Sequence, residues 1–138
     1  MSPDVVGIGE ILIDFVATEP GSYIDVPAFK KCFGGAPMNT LIGVARLGQE
    51  SGAITAVGED PFGKFLIREL QRNGVDTSQV KIKKGTRTTI AFVANEPETG
   101  ERFFIFYRKP WVTGTADSSL SIEDIDLDYI SEAKIPVS

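Results

Sequence analysis

The residues best placed to do chemistry on a ligand gather around a pair of glycines, in Phe33-Gly34-Gly35-Ala36-Pro37-Met38-Asn39. Two adjacent glycines allow a sharp turn and a backbone approach to a ligand with no Cβ in the way, and Pro37 falls where an early helical residue tolerates a missing N–H. The stretch predicts a glycine turn that opens a helix. Asn39 lies in its first turn, beyond the best capping position, where its amide is free to face a ligand. A Gly-Gly turn also serves ordinary loops, so the pattern alone leaves both readings open. Upstream, Asp14 interrupts a nearly continuous apolar run from Val5 to Val16. A carboxylate late in a buried strand is costly unless it is paired or exposed at the strand's carboxyl end, where open α/β sheets bind ligands. The other reading is a turn or cap carboxylate.

Composition removes several classes of chemistry. The sequence contains no histidine, which excludes Ser-His-Asp and Cys-His catalysis, His-ligated zinc and a histidine general base. Proton transfer is left to a carboxylate, lysine, tyrosine or cysteine. The formal charge of −5 argues against a general nucleic-acid binder, which needs a basic stripe to neutralise phosphates. The single cysteine, Cys32, excludes an internal disulfide, and no apolar run approaches the ~20 residues that cross a bilayer. Met1-Ser2-Pro3-Asp4 shows no basic region ahead of an apolar segment, so a cytoplasmic protein is expected.

The elements that must position these residues alternate. Val5 to Val16 reads as one strand covered on both faces, hence part of a parallel sheet. Gly7-Ile8-Gly9 lacks the third glycine of a dinucleotide turn. After Pro20-Gly21-Ser22, the alternation from Tyr23 to Phe33 predicts short antiparallel strands apart from the core, in which Lys30 and Lys31 protect an edge or approach an anion. The glycine helix carries Met38, Leu41, Ile42 and Ala45 on its buried face and stops at Gly48. Ser51 to Val57 is a second core strand. Asp60 and Pro61 then cap and open a helix whose apolar face is Phe62, Phe65, Leu66 and Leu70, ending at Asn73-Gly74; Gly58-Glu59-Asp60 is accounted for by capping, and no metal site is expected there. Thr88 to Ala94 and Arg102 to Arg108 form a hairpin. Its second strand puts Phe103, Ile105 and Tyr107 on one face and Arg102, Phe104, Phe106 and Arg108 on the other, one face packing on the sheet and the other covering a cleft or meeting a partner. Ser121 with Asp124 starts a last helix, with Leu127, Ile130 and Ala133 as its apolar face. Strand, turn, helix, strand, helix is the alternation of a doubly wound α/β sheet.

Gly34-Gly35-Ala36-Pro37-Met38-Asn39, Gly48 after Leu47, and Gly58 after Ala53-Ile54-Thr55-Ala56-Val57 together resemble the amino-terminal signature of the ribokinase-like (PfkB) carbohydrate kinases. Leu41 departs from it, standing where Ser, Thr or Ala is usual. The resemblance runs from Gly7-Ile8-Gly9-Glu10 to about Ile130, and within the family it is closest to the fructokinases. It implies a partial ribokinase-like, Rossmann-like doubly wound core with a small antiparallel β-lid built from segments near 18–33 and 86–109. It also implies that Asp14 accepts sugar hydroxyls, that Gly34, Gly35 and Asn39 contact the sugar, and that Tyr107-Arg108 aligns with a sequence reaching the substrate in related kinases. From the residues alone, structural packing of Tyr107 is an equal alternative.

The resemblance further implies ATP and Mg²⁺ for the complete enzyme, and a catalytic aspartate in a Gly-Ala-Gly-Asp type motif that has no equivalent here. The chain is therefore expected to be the amino-terminal, sugar-binding part of a larger kinase, inactive alone and stopping before a further core strand. Alternatives are a kinase for 2-keto-3-deoxygluconate or a nucleoside, and a non-catalytic sugar-binding module or homodimer joined through the lid. No nucleic-acid or membrane partner is expected.

Overall fold

The computed structural model describes residues 2–110 and 112–137. Two sheets share the chain. The first is parallel and is built on β4 (Ser51–Gly58), all of whose residues are buried. β1 (Val5–Ile8) runs parallel along one edge of β4, while β5 (Val75–Asp76) and β6 (Val80–Lys83) run parallel along the other. The second sheet has the order β3 (Phe29–Gly34), β2 (Leu12–Ala17), β7 (Ile90–Asn95), β8 (Arg102–Tyr107).

Side-chain alternation along β1 and β4 sends successive residues to opposite faces, and both faces are covered. Helix α1 (Ala36–Arg46) and helix α2 (Pro61–Arg72) bury Met38, Leu41, Leu66 and Leu70 against Val5, Ala53, Val57 and Val75. The short helix α3 (Leu127–Ser131) lies over the other face, where Tyr129 meets Val6 and Ile54. This is a doubly wound α/β core, in part. Two caps hold the first turns. Asp60 accepts the Gly63 N–H at 2.8 Å at the head of α2, and Asp126 accepts from Asp128 and Tyr129 at the head of α3.

Several expectations need correction. The run from Val5 to Val16 is two strands in two different sheets, broken at Gly9-Glu10. The break is a point of close approach: the Gly9 carbonyl accepts the Thr55 hydroxyl at 2.7 Å, and a Cβ on Gly9 would stand 2.7 Å from Pro37 Cγ. Both halves are apolar because Ile11, Leu12 and Ile13 are buried where the sheets meet, so periodicity carries no mark of the break. The second sheet is mixed. β2 pairs antiparallel with β3 but parallel with β7, and β2 itself lies outside the segment expected to begin it. Between Tyr23 and Phe33 there is one strand, preceded by a turn in which Val26 N–H reaches the Ser22 carbonyl.

At the surface, Phe62 is exposed and reaches back edge-on to Phe15 with ring centroids 5.6 Å apart. The Ser121–Asp124 capping box heads a single 3₁₀ turn, Ile122–Asp124, ahead of α3. Leu127 faces solvent, and Tyr129 takes the inward position instead. Beyond α3, β9 (Ile135–Val137) is a further core strand, parallel to the free edge of β1.

Candidate functional site

Pairing across the second sheet sets Asp14, Cys32, Ala91 and Phe106 in one row, so these side chains share a face. Gly34 ends β3 directly against the carboxylate: a Cβ there would lie 2.5 Å from Asp14 Oδ2 and 2.7 Å from Leu12 Cδ1. Only a glycine lets the carboxylate lie over the backbone at this point. Burial pushes the Asp14 carboxyl above its ordinary value, and the Arg102 cation opposes that shift only in part. No hydrogen bond from another described residue relieves it. A half-buried acceptor without donors is suited to ligand hydroxyls.

The chain crosses from this face into α1 through Gly35, whose φ of +112° favours glycine and whose added Cβ would stand 2.5 Å from the Glu10 carbonyl oxygen. No side chain caps the helix. Its first-turn N–H groups are thus left to solvent or ligand. One turn in, Asn39 donates its backbone N–H to the Gly35 carbonyl at 3.0 Å. Its exposed side-chain amide has no hydrogen-bond partner among the described residues.

Arg108 follows β8 and stacks over Phe106, 4.4 Å from the ring centroid, on the Asp14 side of the sheet. It forms an ion pair with Glu10, at the carboxyl end of β1. The two residues wall a cleft of about 300 Å³ together with Gly9, Lys109, Thr115 and Asp117. Asp117 is held there by the Thr89 hydroxyl at 2.7 Å. Tyr107 behaves differently. It pairs with Ile90 and sets its ring edge-on to Phe92 at 5.6 Å, on the face opposite Asp14. The structure therefore brings Asp14, Gly34, Gly35 and Arg108 to one side, with Asn39 one helical turn beyond Gly35, and leaves Tyr107 on the other.

Sequence reasoning gave Glu10 no role, and it set Phe104 and Phe106 on the Arg108 face of β8 without deciding which face meets the site. The signal for Glu10 was present, because it interrupts the same apolar run as Asp14. The aromatic pair carried no such mark, since β8 is apolar on both faces. Among the described residues no three His, Cys, Asp or Glu side chains group as a metal ion would need. Asp60, near the second sheet, has a structural task. Burial alone would raise it, but hydrogen bonds from the Thr88 and Gly63 N–H groups and the Thr88 hydroxyl outweigh burial and hold it below the usual carboxylate range.

A parallel core and a glycine turn feeding a helix beside an unpartnered carboxylate agree with what comparison with known proteins gives. The family described as pfkB family carbohydrate kinase matches residues 2–137, and the chain belongs to it. It is 49% identical over 135 residues to a protein named probable fructokinase-6, chloroplastic, from Arabidopsis thaliana, covering 97% of this chain and 34% of that one. Among solved structures, an uncharacterized sugar kinase from Pyrococcus horikoshii in complex with ATP superposes with a TM-score of 0.86 at 39% identity, over 96% of this chain and 41% of that one. A fructokinase from Xylella fastidiosa superposes with a TM-score of 0.81 at 34% identity, over 97% and 40% of the two chains. The chain spans between 34% and 40% of the length of the curated relatives it matches. Among the described residues no helix is long and apolar enough to cross a membrane.

Proposed function

We propose that this chain is the sugar-binding part of an ATP-dependent carbohydrate kinase that phosphorylates a hydroxyl of fructose. The observation that carries the reading is the Asp14 carboxylate, half-buried and without donors among the described residues, pressed against Gly34 beside the start of α1, where no side chain caps the helix. In this reading Asp14 accepts hydrogen bonds from sugar hydroxyls, and the absence of a Cβ at Gly34 and Gly35 lets the ring approach the backbone. Asn39 donates and accepts one turn further on. Arg108, stacked on Phe106, closes the end of the site. Holding the acceptor hydroxyl in one orientation supplies part of the rate acceleration.

The catalytic base, the ATP site and any Mg²⁺ site belong, in this reading, to residues outside the described ones. The described residues do not group as a metal ion needs, so no step is assigned to a metal here. When bound, ATP supplies the transferred phosphoryl group. Tyr107 lies on the opposite face of the second sheet, edge-on to Phe92, so in this reading it does not contact the sugar. A cytoplasmic location stays part of the proposal, and cell fractionation decides between it and the compartment in the name of the Arabidopsis thaliana relative.

The test is phosphorylation of fructose, 2-keto-3-deoxygluconate and adenosine by the complete protein, with fructose binding followed by calorimetry in wild type and Asp14→Asn. Fructose is expected to be the preferred acceptor, and Asp14→Asn to lose its binding. Preference for either other acceptor, or undiminished fructose binding by Asp14→Asn, overturns the reading.

A second reading has its own observation. On β8, Phe103, Phe104, Ile105 and Tyr107 are 41–48% exposed, and no described strand pairs with its outer edge. Such a strand suits pairing with a second copy through the second sheet. Sedimentation decides it: a dimer that dissociates on Phe104→Lys supports it, and a monomer at all concentrations excludes it.

A further inference from the structure

Where the chain passes between the two sheets at Gly9 and at Gly34-Gly35, it does so through residues with no side chain to fasten them. The passage into β7 is fastened by Asp60. One of its carboxylate oxygens accepts the Gly63 N–H at 2.8 Å and the Thr88 hydroxyl at 2.7 Å, and the other accepts the Thr88 N–H at 2.9 Å. The Thr88 hydroxyl in turn accepts the N–H of Gly58, the last residue of β4, at 3.0 Å. Two glycines make room for this joint: a Cβ on Gly58 would stand 2.6 Å from the Thr88 nitrogen, and one on Gly63 would stand 2.4 Å from the Gly58 carbonyl oxygen. Capping α2 explains only part of the arrangement. A cap needs one accepting oxygen, which serine supplies as well as aspartate, so the bond to the Thr88 N–H serves something else. From Thr88 the path to the candidate site is short, because the Thr89 carbonyl accepts the Ile13 N–H at 3.0 Å and Ile13 precedes Asp14. Asp14 stands on the second sheet, whereas Asn39 belongs to a helix packed on the first. A ligand gripped by both is held only as firmly as the sheets are held to each other.

We propose that Asp60 is a positioning residue for sugar binding: by tying the Thr88 backbone to the end of β4 and the head of α2, it fixes where Asp14 stands relative to Asn39. The inference rests on the sugar-kinase reading and adds to it a residue outside the sugar contacts. Asp60→Ser separates the joint from the cap, since a serine hydroxyl caps the helix but has no second oxygen for the Thr88 N–H. A purely structural Asp60 would lower the melting temperature and leave the affinity of the folded protein unchanged.

The test is calorimetric titration of the complete protein with fructose, for wild type, Asp60→Ser, Thr88→Val and Thr88→Ser, together with hydrogen exchange of the backbone N–H groups. Asp60→Ser and Thr88→Val are each expected to weaken fructose binding by about tenfold. Thr88→Ser, which keeps the hydroxyl, should stay within about twofold of wild type. The Ile13 N–H should exchange faster in Asp60→Ser, while the N–H groups of β4 keep their protection. If wild type binds fructose and Asp60→Ser matches it within about twofold, the inference falls while the sugar reading stands. If wild type binds no fructose, both fall. Circular dichroism checks folding; should Asp60→Ser not fold, Thr88→Val against Thr88→Ser decides. Weaker binding by the valine variant supports the proposal, and equal affinity of the two overturns it.

Discussion

The two sheets answer to different demands. Every residue of β4 is buried, and its neighbours are covered on both faces by helices. In the second sheet, β8 is exposed along nearly its whole length and β2 carries a carboxylate without a hydrogen-bonding partner among the described residues. One sheet is built for stability, since close-packed apolar surface is where folding free energy is gained. The other gives up some of that gain, because a polar group or an aromatic face left unmatched within the chain is available to something outside it. In the proposed reading, recognition falls where the fold is least satisfied.

The sharpest way to break this comparison is by truncation. Leu66→Ala, at a fully buried position of α2, is expected to cost about 2–5 kcal/mol in urea unfolding. Ile105→Ala, at an exposed position of β8, should cost less than about 1 kcal/mol. Equal losses would mean that the second sheet is as much a part of the stabilising core as the first.

Next in size is Asp14→Asn, expected to weaken fructose binding by about a hundredfold or more. The same change should raise thermal stability without ligand. Asp14's folded pKa is raised, so the folded state holds its proton more tightly than the unfolded one, and stability falls as pH rises from the unfolded value through the folded one. At neutral pH the whole penalty is present, and the uncharged amide removes it. A melting temperature that drops, with binding lost, would make Asp14 a structural residue.

Smaller is Asp60→Ala, expected to cost about 0.5–2 kcal/mol at neutral pH. Asp60's folded pKa is lowered, so its contribution is complete above the unfolded carboxylate value and is lost as pH falls through the folded one. The gap between wild type and variant in unfolding experiments should therefore close in acid, below about pH 4. Smallest is the effect of Asn39→Ala on stability, within about 0.5 kcal/mol because its amide is exposed and has no partner among the described residues. Calorimetry should nonetheless show weaker sugar binding.

Much of this was legible in the residues. The glycine turn, the buried Met38 and Leu41, the Asp60 cap, and the strands at Ser51 and Arg102 follow from local rules and are present, and the strand expected over Thr88 to Ala94 spans Ile90–Asn95. What escaped depended on partners distant in sequence. Nothing local says that Val5–Ile8 and Leu12–Ala17 belong to different sheets, because Val5–Gly7 and Leu12–Ile13 are all buried, by different neighbours. The alternation along β8 gave its two faces correctly, but Phe and Ile on both left open which one meets the site. Tyr107 is grouped with Arg108 only by the family resemblance, and the alternation already sets their side chains on opposite faces. Asp14 and the Gly34-Gly35 pair were found because a charge in an apolar run and a doubled glycine are anomalies, and anomalies survive without knowledge of the fold.

Strand β9 lies beside β1, and Ser2 hydrogen-bonds Glu132 across a separation of 130 residues. A ribosome releases the first of these partners long before the second. Until residues 135–137 emerge, one flank of β1 lacks this neighbour, so its pairing there is a slow, long-range closure over most of the intervening sequence.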